Sequence, residues 1–127
     1  MNSQSLLLFF SFSLLIASCS QIPRISTTLV KHPNSDETIL IADSKKIDLS
    51  TGYSILISKG TKLKYVGYIP QGKVYKPINF VLMIEGTHMY QAYLVLQNQI
   101  LTGFYLPASK EFSDSLSSHQ KLLFIQE

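Results

Sequence analysis

This sequence predicts an all-β fold, a small antiparallel barrel or sandwich, and three observations carry that expectation. Pro33, Pro70, Pro77 and Pro107, with Gly52, Gly60, Gly72, Gly86 and Gly103, punctuate the chain at short intervals. The stretches between them have strand length and are rich in β-branched and aromatic residues. Several alternate apolar and polar side chains with a period of two, which marks a half-buried strand. Short strands at a spacing of roughly 8–12 residues, without a convincing helical stretch, point to a closed or two-layered antiparallel sheet.

Taken in order, residues 26–31 and 38–42 read as strands flanking the turn-rich pentapeptide 32–36, a pattern that suits a hairpin. Residues 53–58 and Lys62–Ile69 flank a second turn, Lys59-Gly60-Thr61. In Lys62–Ile69, Lys62 and Lys64 fall on one face and Leu63 and Tyr65 on the other. Ile78, Phe80, Leu82 and Ile84 alternate with Asn79, Val81, Met83 and Glu85, predicting one strand over 78–85. Tyr90, Ala92, Leu94 and Leu96 alternate in the same way over 90–97. Asn98-Gln99 is a tight turn into Ile100–Leu106, with Asn98 able to adopt a positive φ. The Ser-rich segment 108–119 is a loop or holds a single helical turn around 110–116, and residues 122–125 close the chain as a last strand.

The N-terminus has a different character. Residues 6–17 form a largely apolar run of 12 residues, about 18 Å as a helix and well short of a bilayer's ~30 Å hydrocarbon core. Its length fits the apolar region of an export signal instead. It closes on Ile16-Ala17-Ser18-Cys19, which resembles the lipobox of bacterial lipoproteins. That resemblance implies cleavage before Cys19, lipidation of the Cys19 sulfur, and a membrane anchor through its acyl chains. Ser20 follows in place of the aspartate that holds such proteins at the inner membrane, which implies the outer membrane, facing the periplasm. Cys19 is the chain's only cysteine, and acylation accounts for an otherwise unpaired thiol in an exported protein. The expected organisation is a signal peptide over 1–18, a lipidated tether over 19–25 and a single β-rich domain over 26–127. Residues 52–75 also loosely resemble bacterial SH3-like barrels, in which a Lys-Gly-Thr turn leads into an alternating strand, here Lys59-Gly60-Thr61 and residues 62–66.

Charge supplies the functional signal. The net charge is +3, but residues 45–76 hold seven lysines against one acid, Asp48. All seven tyrosines lie between Tyr53 and Tyr105. Lys59, Lys62, Lys64, Tyr65, Tyr68, Lys73 and Tyr75 are therefore the candidate binding residues for an anionic envelope component or a protein partner. The competing reading is structural: lysines that keep strand edges from pairing, and tyrosines that pack across strands in a chain without tryptophan. Nucleic acid is not an expected partner, since no recognition motif accompanies the charge. His32, His88 and His119 are isolated from one another, so no metal site and no cofactor are expected. There is no nucleophile elbow, no phosphate-binding glycine loop and no carboxylate pair at a telling spacing, so no catalytic residue is assigned. The expected function is a non-enzymatic lipoprotein binding module. The alternative is an inhibitor or immunity lipoprotein that neutralises an enzyme or toxin in the periplasm.

Overall fold

The computed structural model describes residues 22–32, 36–86 and 88–127, all of it strand, turn and loop. The expected signal peptide, Cys19 and the middle of the 32–36 loop lie outside the described residues. The strands are β1 (Ile25–Ser26), β2 (Thr38–Ile41), β3 (Lys45–Asp48), β4 (Ser54–Ile57), β5 (Lys62–Ile69), β6 (Gly72–Pro77), β7 (Met83–Glu85), β8 (Met89–Gln91), β9 (Tyr93–Gln97), β10 (Ile100–Leu106), β11 (Glu111–Ser113), β12 (Gln120–Lys121) and β13 (Phe124–Gln126).

All the pairings are antiparallel, and the main sheet runs β1-β11-β10-β9-β6-β5-β2-β13. The last segment closes it. Gln120 and Lys121 pair with β10, while Phe124 to Gln126 pair with β2, so one continuous segment joins the β2 side of the sheet back to β10 and closes a barrel. Two separate hairpins, β3–β4 and β7–β8, add Ile47, Ile57 and Ile84 to the interior. That interior also holds Ile39, Ile41, Leu63, Leu94, Leu96, Leu101, Phe104 and Leu122, all at most 1% exposed.

Two bulges set which side chains enter. Pairing shifts between Tyr65 and Gly67, and again between Leu101 and Gly103. The extra residue, Val66 or Thr102, reverses the in–out parity of everything after it. Leu63 and Tyr65 therefore face inward, whereas Ile69 joins Val74, Val95, Tyr105 and Phe112 in a second cluster on the outer face of the sheet. Residues 27–31 lie across this outer cluster as a strap, with Leu29 packed on it and Val30 bridged to Tyr68. The strap explains why β9 is buried at Leu94, Val95 and Leu96 in succession rather than at alternate positions. Gly67 makes its approach possible, since a Cβ there would collide with the Val30 carbonyl oxygen.

Several expected elements change. Residues 26–31 and 38–42 do not form a hairpin: β2 pairs with β5 and β13, and β1 pairs with β11. The expected strand over 78–85 is reduced to Met83–Glu85, because Asn79 takes a φ of 76° as the chain leaves the barrel. The stretch 90–97 divides at Ala92, whose amide donates to the Leu82 carbonyl. No helical turn forms around 110–116. The Lys110 amide bonds the Leu106 carbonyl at 2.8 Å, and β11 returns along β10. Lys59-Gly60-Thr61 does turn the chain, but between strands of two different sheets. Of the residues expected as a tether, Ile22 is buried in the core and Ile25 pairs in β1.

Candidate functional site

The seven candidate residues do not form one surface. Four of them, Tyr65, Tyr68, Lys73 and Tyr75, meet on the interior side of β5 and β6, around a residue that carried no signal in the sequence, Glu37. The bulge at Val66 brings Tyr68 to the same side as Tyr65. The Glu37 carboxylate accepts from the Tyr75 hydroxyl at 2.7 Å, and from Lys73 Nζ and Gln126 Nε2 at 3.3 Å each. Lys73 Nζ lies 5.1 Å from the centre of the Tyr65 ring. The Tyr65 hydroxyl is 2.9 Å from His32 Nδ1, and the His32 ring packs 5.0 Å from Tyr68.

Burial first, then the adjacent Glu37 charge, pushes the Tyr65 phenol above its ordinary pKa. At Tyr75 burial again leads, followed by the hydrogen bond to Glu37 and its charge. Both phenols therefore keep their protons, and Tyr75 donates its own to Glu37. A cavity of about 550 Å³ opens beside the cluster, walled in part by Tyr68, Gln97, Asn98, Gln99 and Phe124. Its charges are matched within the protein, so it has no strong preference for an ion of either sign.

The other three candidates separate. Lys62 pairs with Glu127 at 3.3 Å, and Lys59 sits at the β4–β5 turn, where its amide donates to Ser44 Oγ. Lys64 points to the outer face, and its cross-strand partner is Lys76. That pairing lies beside a second site, unforeseen because its parts are distant in sequence. Lys31 from the strap, Lys76 from β6 and Lys110 from the β10–β11 turn line a groove of about 580 Å³ with Tyr93, Tyr105 and Pro107. Lys76 Nζ lies 5.9 Å from the Tyr93 ring centre, and Tyr93 and Tyr105 pack at 6.3 Å. Burial, then the neighbouring Tyr93, raises the Tyr105 phenol, which keeps it a donor as well.

No carboxylate lines this groove among the described residues. Like charges directly opposite on adjacent strands, as Lys64 and Lys76 are, destabilise a sheet. Three lysines and two phenolic donors around an open cleft suit a phosphate or carboxylate. No protein-family model, curated protein or solved structure matches this chain.

Proposed function

We propose that this chain is a lipid-anchored, non-enzymatic binding module of the bacterial envelope. In this reading Cys19 carries the anchor in the outer membrane, facing the periplasm, and the outer-face groove receives an anionic group of an envelope component or protein partner. The observation that carries the binding part is the groove itself: Lys31, Lys76 and Lys110 converge on the Tyr93–Tyr105 pair with no lining carboxylate. The assignment moves the site away from Lys62 and Lys73, whose charges are already met by Glu127 and Glu37. The strap that forms one wall follows closely on the N-terminal segment, so anchor and groove belong to neighbouring parts of the chain.

The test is charge reversal. Lys76→Glu with Lys110→Glu should weaken binding to envelope fractions by about tenfold or more at low salt, with the difference shrinking as salt screens it. Lys62→Glu serves as the control and should change little. Equal binding by all three proteins at low salt would remove the groove from the reading.

A further inference from the structure

We propose that the outward face of the β7–β8 hairpin, with its lead-in loop, rests on the lipid leaflet as a second membrane contact beside the Cys19 acyl chains. This inference depends on the lipid-anchor reading above and adds to it an orientation of the domain.

The first ground is reach. Ile22 is buried in the core, and Arg24 is fixed by Glu111 at 3.3 Å and by the Tyr90 ring at 5.4 Å. Only Ser20 and Gln21 separate Cys19 from this fixed chain. Three residue steps span at most about 11 Å. A domain held that closely cannot tumble freely above the bilayer. Whatever surrounds Arg24 is kept near the headgroups, and Arg24 lies over Tyr90, on the inward side of β8, which brings β8 to that level.

The second ground is what this hairpin exposes. Ile84 and Tyr90 turn inward to the core, so the opposite side of the ribbon looks outward. On that outward side are Met83 and Met89, 38% and 55% exposed, preceded by Phe80 at 45% and Val81 at 63%. Two such side chains on the ribbon and two on its lead-in loop are more than the scattered exposure of an ordinary surface. Methionine is flexible and polarisable, which suits a fluid and irregular partner such as the acyl–headgroup boundary. Lys59 shares a cleft with Phe80 and places positive charge at the edge of the patch, as anionic headgroups favour. Glu85 is the one carboxylate on the ribbon.

The experiment uses the full chain, matured in a bacterium with an outer membrane and reconstituted into phosphatidylethanolamine–phosphatidylglycerol vesicles that carry a nitroxide-labelled lipid. A fluorophore is attached at Met89→Cys or, as control, at Gln97→Cys, an exposed position at the far end of the strand that continues from β8. The mass of the mature N-terminus is measured on the same material. Acylated protein whose label at 89 is quenched several-fold more than the label at 97 supports the contact. Acylated protein with equal quenching at the two positions overturns the contact while leaving the anchor in place. A patch that docks a protein or a second copy instead gives that same equal quenching. An N-terminus without acyl mass overturns the anchor reading itself, and the proposed contact with it.

Discussion

Lys73 and Lys76 stand on the same strand, three residues apart, and meet opposite surroundings. Lys73 turns to the interior side and finds Glu37, which reaches it from 36 residues away. Lys76 turns outward and finds another lysine across the strand pair and an aromatic ring beside it. Both regions combine lysines with tyrosines, so composition alone cannot tell them apart. The difference lies in whether the fold supplies the countercharge. Around Glu37 the acceptors and donors are matched inside the protein, which makes that region a structural knot. On the outer face positive charge accumulates without compensation, and that is the state a ligand can relieve.

The largest expected effect comes from the glycine that lets the strap seat. Gly67 has a φ of +151°, and the Val30 carbonyl oxygen occupies the space a Cβ would need. Gly67→Ala must push the strap away or distort β5, at a cost of roughly 3 kcal/mol or more in denaturant unfolding. A cost below about 1 kcal/mol would mean that the strap is not clamped to the sheet, and the groove would lose one of its walls. The comparison between the two regions would then lose its outer half.

Next comes the knot itself. Glu37→Leu leaves the Tyr75 hydroxyl and the Lys73 ammonium without their shared acceptor, and should cost about 1–3 kcal/mol. Tyr75→Phe removes a single donor and should cost less, about 1 kcal/mol. If Glu37→Leu were neutral, the cluster would not be the matched network its distances describe. The same region sets an alkaline limit. Tyr65 and Tyr75 hold their protons more tightly in the folded state than in the open chain, as does Tyr105 in the outer groove. Their contribution is therefore intact below the unfolded tyrosine pKa of about 10, and is lost as pH rises through the folded values. Thermal melts between pH 8 and about 11 should show the loss, and Tyr75→Phe should flatten it. A profile unchanged in that variant would place the alkaline sensitivity elsewhere.

Much of this architecture is legible in the sequence where the cue is local. The in–out alternation of Lys62, Leu63, Lys64 and Tyr65 appears as expected, as does the turn at Asn98, whose φ is 59°. What the sequence hides is non-local. A bulge adds one residue without any mark in the sequence, yet it decides whether Tyr68 or Ile69 shares the side of Tyr65. Val95 is buried because a strap more than 60 residues earlier in the chain covers it, which no period within β9 can reveal. Glu37 sits between a loop and a strand with nothing to mark it, because its importance comes from Lys73, Tyr75 and Gln126 arriving from elsewhere. The seven candidates were grouped by proximity in sequence, and the alternation of the strands then divided them between two faces.

The smallest effect is also the most discriminating, because Lys62 and Lys76 predict opposite signs. Lys62 and Glu127 form an exposed pair at 3.3 Å, and Lys62→Gln should cost no more than about 0.5 kcal/mol. Lys76→Gln should instead stabilise the free protein slightly, by about 0.2–0.5 kcal/mol, since it relieves the cross-strand repulsion with Lys64. Repulsion between exposed charges is screened, so that gain should fade between low salt and about 1 M salt. Melting temperatures of the two variants at both salt levels decide the matter. If Lys76→Gln destabilises the protein at low salt, its contact with Tyr93 outweighs the repulsion, and the lysine is held by the fold. If it stabilises the free protein while weakening its binding to envelope fractions, the charge is retained at a cost to the fold, as expected of a residue kept for a partner.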